Sequence, residues 1–106
     1  MPPYLDDGDV VLYQGDCIEV MATLPEASVD AVCTDPPYGL EFMGREWDRF
    51  APSAFQAWCE TWAREALRVL KPGGHALVFG GTRTFHRMTC GLEDAGFEIR
   101  DCLSWL

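Results

Sequence analysis

The sequence predicts an α/β domain: a mostly parallel sheet with flanking helices. Three observations carry this. Short β-prone apolar runs alternate along the chain with stretches of helical periodicity. Two of the runs, within residues 28–34 and 75–79, show little polar alternation, as in strands covered on both faces of a parallel sheet. Glycine and proline clusters punctuate the elements.

Residues 1–8, with Pro2, Pro3 and Gly8, read as a mobile lead-in, and residues 9–106 as the domain proper. Residues 10–13 form a short β-prone run ended by Gly15 and Asp16. Asp16 caps a helix whose apolar face is Ile18, Val20, Met21 and Leu24, and Pro25 stops it. Residues 28–34 are a buried strand. Residues 35–52 are a long loop with Pro36, Pro37, Gly39, Gly44 and Pro52, and loops of that length in compact domains are usually functional. Pro52 and Ser53 open a helix with Phe55, Trp58, Trp62, Ala66, Val69 and Leu70 on one stripe. Residues 71–74 (KPGG) are a stop and turn, and residues 75–79 a strand ended by Gly80 and Gly81. A weaker helix follows over residues 82–95, closed by Gly96, and residues 97–103 read as a last strand. Ligands of such sheets sit beyond the carboxyl ends of the strands. Three stretches are expected there: residues 15–17, 35–38 and 80–81.

Composition narrows the function. At 106 residues the chain makes one domain, and its composition of 48% hydrophobic and 24% charged residues is that of an ordinary globular protein. No apolar run is long enough to span a membrane, and the N-terminus lacks the pattern of a secretory signal, so a cytoplasmic location is expected. The five cysteines, Cys17, Cys33, Cys59, Cys90 and Cys102, contain no C-x-x-C pair. They suggest free thiols, with no disulfide framework and no metal site. A redox or metal protein built on them has no ligand spacing behind it. The net charge is −9, from 17 acidic and 8 basic residues. Phosphates are gripped by lysine and arginine, so by charge alone this is a poor surface for DNA.

The run DPPY, Asp35 to Tyr38, directly follows the buried strand. Its plain reading is a proline turn capped by an aspartate. Its chemical reading is a pocket for a flat, amino-bearing ring. The lone pair of a nucleobase amino group is delocalised into the ring. Two acceptors, the Asp35 carboxylate and the Pro36 carbonyl, can take its two N–H groups and free that lone pair. Prolines fix the backbone in advance. Tyr38 offers a face for a base that has left the duplex, and such stacking is worth roughly 1–3 kcal/mol per base.

These features together resemble the DNA amino-methyltransferases of the N6-adenine or N4-cytosine type. The matching stretches are GDCIEVMATLPEASVDAVCTDPPYG, WCETWAREALRVLKPGGHALVFGG and LSWL, in an order like that of the β class. The resemblance covers roughly residues 10 to 105. It implies part of a Rossmann-like fold dependent on S-adenosylmethionine, in which a flipped base is methylated directly on its exocyclic amino group, with no cysteine nucleophile. It implies that Asp35, Pro36, Pro37 and Tyr38 are catalytic. It implies cofactor contacts from Asp16, Cys17 and Asp35. It assigns Tyr38, Trp47, Asp48, Gly80 and Gly81 to the pocket of the target base. For Asp16 a plain helix cap stands as the alternative, and for the two glycines a plain turn. The aspartate in first place leans toward adenine N6, and restriction–modification is the biological setting the resemblance suggests.

The F-x-G-x-G loop with which the family holds its cofactor does not occur in this sequence. The resemblance therefore implies the N-terminal catalytic portion, with the cofactor glycine loop and the basic target-recognition region absent. DNA contact is expected mainly through those regions, and the chain alone is expected to bind cofactor weakly or not at all. Two rivals remain open. One is a truncated or split half acting only with a complementary chain, or as a homodimer. The other is an RNA or protein amide N-methyltransferase, although such enzymes usually place the cofactor's glycine loop ahead of the motif.

Overall fold

The computed structural model of the chain describes residues 1–40 and 51–106. Trp47 and Asp48 lie outside the described residues.

The elements run β1 (Leu5–Asp6), β2 (Val11–Leu12), α1 (Cys17–Ala22), β3 (Val29–Thr34), α2 (Pro52–Val69), β4 (Leu70–Val78) and α3 (Phe85–Ala95). β3 and β4 pair in parallel, with Ala31 opposite His75 and Thr34 opposite Val78. This is the predicted β–α–β core, with α2 as the crossover. Between Val29 and Ala31 the register jumps from Leu70 to His75, so residues 71–74 bulge out of the ladder. Gly73, at φ +82°, makes that excursion possible. The KPGG turn thus lies inside β4, which starts at Leu70.

α2 forms as its periodicity demands. Pro52 sits in the first turn, where its missing N–H costs nothing. Phe55, Trp62, Ala66 and Val69 are buried on the predicted stripe, joined by Cys59 and Ala63, and Trp58 packs against them half-buried. Phe55 stacks on Trp58 at 6.2 Å between ring centres, and Trp58 meets Trp62 edge-on at 6.4 Å. Such pairs contribute about 0.5–1.5 kcal/mol beyond their buried area. Burial pushes the Cys59 thiol up to about 11, against a smaller opposing effect of Trp62. That indole N–H nevertheless has no partner of hydrogen-bond geometry among the described residues, so we read its approach to the Cys59 sulfur as packing.

α3 completes the core with Met88, Leu92 and Ala95. It crosses α2 at Gly91, where a Cβ would lie 2.7 Å from the Gln56 carbonyl and 2.9 Å from the Cys59 Cβ. Gly96 ends it at φ +116°, with Phe97 N–H donating to the Leu92 carbonyl, a left-handed cap as predicted. α1 is tied to α2 by Arg68. Its Nη2 donates to the carbonyls of Met21 (2.7 Å) and Leu24 (3.1 Å), and its Nε pairs with Glu65 at 2.6 Å.

Three expectations are corrected. Residues 10–13 do not join the sheet: β2 pairs antiparallel with β1, in a hairpin closed by the Asp7 carboxylate on the N–H groups of Asp9 and Val10. The supposed lead-in therefore supplies a strand, because its own turn chemistry offers a nearer partner than β3 does. Residues 97–103 form no strand, and Leu103 and Trp105 are 78% and 95% exposed. Alternation favours a strand only where a ladder accepts it, and no described strand lies beside this segment. Finally, among the described residues β3 and β4 are covered on one face only. Val32 and Val78 pack on the helical core, whereas Cys33, Leu77 and Phe79 are exposed.

Candidate functional site

The carboxyl ends of β3 and β4 carry two of the three expected stretches. Phe79 N–H donates to the Thr34 carbonyl at 3.0 Å, so the strands leave the ladder side by side. Asp35 to Tyr38 continue from β3, and Gly80 and Gly81 from β4. The third stretch, residues 15–17, follows the separate hairpin and ends no strand of the parallel pair.

Asp35 is exposed, while Pro36, Pro37 and Tyr38 are half-buried. The Asp35 carboxylate beside it, and after that burial, hold the Tyr38 phenol above its ordinary range. The Pro36 carbonyl accepts no hydrogen bond among the described residues. Asp35 and Pro36 thus follow the carboxyl end of β3 directly, with Tyr38 close to the carboxylate.

The loop is fastened from the far side. Thr84 stands at the N-cap of α3, yet it makes no cap bond. Its hydroxyl donates instead to the Tyr38 carbonyl. A Cβ on Gly81 would come within 3.3 Å of the Tyr38 ring and 3.0 Å of Leu40. A Cβ on Gly80 would come within 2.9 Å of the Met88 methyl. Gly39, at φ +75°, lies against the Phe55 ring, where a Cβ would stand 2.9 Å away. A Cβ at Gly81 would thus crowd the Tyr38 ring, and one at Gly80 would crowd α3. Sequence reasoning missed Thr84, since a threonine opening a helix signals a cap.

Asp16 is the cap of α1, its Oδ1 accepting from Ile18 N–H (2.9 Å) and Glu19 N–H (3.2 Å). The Cys17 thiol is raised, first by burial and then by the Asp16 charge. Asp16, Cys17 and Asp35 line neither of two cavities. One, of about 330 Å³, lies at the amino end of the sheet beside residues 71–74. The other, of about 170 Å³, lies next to the motif and is lined by Gly39, Pro52, Phe55, Arg83, Thr84, His86 and Arg87. Among the described residues, no three His, Cys, Asp or Glu side chains converge as metal ligands, and no helix is long and apolar enough to cross a membrane.

Comparison with known proteins adds to this geometry. Residues 29–106 match the family described as DNA methylase, of the N6/N4 type. The chain is 29% identical over 109 residues to the Type II methyltransferase M.HinfI of Haemophilus influenzae, covering 89% of this chain and 30% of that protein. It is 28% identical over 129 residues to the Type II methyltransferase M.HindIII of Haemophilus influenzae strain Rd, covering 89% of this chain and 42% of that protein. The chain thus spans well under half the length of these two relatives.

Proposed function

The chain belongs to the DNA methylase family of the N6/N4 type, and on that premise we propose that it holds the exocyclic amino group of a flipped DNA base for methylation, with adenine N6 as the acceptor. The observation that carries this reading is the placing of Asp35 to Tyr38 at the carboxyl end of β3, with a Pro36 carbonyl that accepts no hydrogen bond among the described residues. The carboxylate takes one N–H of the amino group, the Pro36 carbonyl takes the other, and the ring of Tyr38 stacks on the base. Both acceptors draw the nitrogen toward tetrahedral geometry and localise its lone pair. The proton lost on methylation passes to the Asp35 carboxylate.

The family implies a methyl donor, for which we infer S-adenosylmethionine. Its reactive methyl group is the chemistry it supplies when bound. Of this chain, Asp16 is the residue best suited to touch it, since one carboxylate oxygen remains outside the cap bonds. Trp47 and Asp48 remain proposed parts of the base pocket.

A second reading, that these residues act only beside a complementary polypeptide, is favoured by the sheet. Its outer face presents Leu77 and Phe79 at 50% and 46% exposure, uncovered by any described element. Large exposed apolar patches mark interaction surfaces.

The test is incubation of the purified full-length protein with methyl-labelled S-adenosylmethionine and duplex DNA, followed by identification of the modified base by mass spectrometry. N6-methyladenine formed by the wild type and absent with Asp35→Ala is the expected result. Label in cytosine N4 would correct the base. Turnover undiminished in Asp35→Ala would refute the site.

A further inference from the structure

We propose that Arg83 and Arg87, with His86 beside them, form a seat for a phosphodiester of the DNA strand whose base enters the site. This rests on the methylase reading above. A chain of net charge −9 repels a polyanion, so the surface that touches the strand must be locally positive.

The structure shows where that is. Arg64 is held by Glu60 at 2.8 Å, Arg68 by Glu65 at 2.6 Å, Lys71 by Asp30 at 2.8 Å and Arg100 by Glu98 at 3.8 Å. Arg45 and Arg49 lie outside the described residues. Arg83 and Arg87 are the two remaining cations, and neither has a carboxylate partner among the described residues. Arg87 reaches only the neutral Gln56 Oε1, at 3.4 Å. The two uncompensated cations line one cavity.

They converge beside the motif. Four residues apart, Arg83 and Arg87 line one cavity of about 170 Å³ together with His86, Thr84 and Gly39. Gly39 is the residue after Tyr38, and Thr84 holds the Tyr38 carbonyl. A base that swings out about its backbone keeps its phosphates close to the pocket that receives it. The cavity is smaller than the 300 Å³ or so at which small-molecule pockets begin, which suits one anionic group better than a whole ligand. Planar, permanently charged guanidinium groups match phosphate oxygens in pairs.

The experiment measures binding of the full-length protein to a short duplex oligonucleotide across a series of sodium chloride concentrations, by fluorescence anisotropy. Arg83→Gln and Arg87→Gln are each expected to flatten the slope of log K against log salt by about 0.9, with affinity lowered equally on every sequence. Arg64→Gln, away from the cavity, is expected to leave the slope unchanged. Arg83 is exposed and makes no side-chain hydrogen bond among the described residues, so Arg83→Gln carries the test even if Arg87→Gln disturbs the contact with Gln56. A wild-type slope in Arg83→Gln, in a protein that still binds and methylates DNA, overturns the seat and leaves the methylase reading standing. A wild type that neither binds nor methylates DNA overturns both.

Discussion

The hydroxyl of Thr84 donates to the main-chain carbonyl of Tyr38, across 46 residues of sequence. A residue at the start of α3 therefore fixes the end of the motif that leaves β3. Thr84→Val keeps the shape and removes the donor. Its expected cost is about 1 kcal/mol of stability. Faster amide exchange confined to residues 35–40 should accompany it, with Thr84→Ser restoring protection. Uniform loss of protection would point to a general packing defect instead.

The Tyr38 phenol is raised chiefly by the Asp35 carboxylate beside it. The folded protein thus holds that proton more tightly than the unfolded chain, whose phenols titrate near about 10. The stability from this group is complete below that value and is lost as pH rises through the folded one. In tyrosinate absorbance titrations, the phenol assigned by difference with Tyr38→Phe should ionise above the ordinary range. Asp35→Asn should bring it down toward that range. An unchanged titration in Asp35→Asn would break the link between the two side chains.

Gly91→Ala sets two effects against each other. Helix propensity alone favours alanine by about 1 kcal/mol. The new Cβ, however, would meet the Gln56 carbonyl at 2.7 Å and the Glu60 nitrogen at 3.1 Å, both main-chain atoms that no rotamer change can move. Overpacking of this kind costs about 1–3 kcal/mol, so the steric effect wins. Urea unfolding should show a lower midpoint for the variant, and a higher one would mean that α2 and α3 do not cross there.

Asp16 carries two roles that one substitution can separate. Asp16→Ser retains a good cap for α1, whereas Asp16→Ala removes it at a cost of about 1 kcal/mol. If the carboxylate also touches the cofactor, Asp16→Ser should fold as the wild type does and lose S-adenosylmethionine affinity in calorimetry. Equal affinity would leave Asp16 as a cap alone.

The sequence by itself determined the elements whose partners are near or whose pattern is dense. α2 was legible because six apolar residues at three- and four-residue steps admit one helix face, and Asp16 because a cap bonds within three residues. The parallel β3–β4 pair and the placing of DPPY at its end followed from strand, helix, strand in series. Only tertiary structure decided the rest. Residues 10–13 and 97–103 have strand patterns, but a strand exists only where a ladder accepts it; the first found its ladder in β1 and the second found none among the described residues. Glycines 81 and 91 look alike in a sequence. What each admits, the Tyr38 ring or the main chain of α2, is set by which surface approaches. Thr84 bonds equally well to its own helix or to a distant carbonyl, and pattern cannot choose between them. The arginines show the same limit: composition counts charges, and only the fold decides which are neutralised by neighbours and which are left to face a ligand.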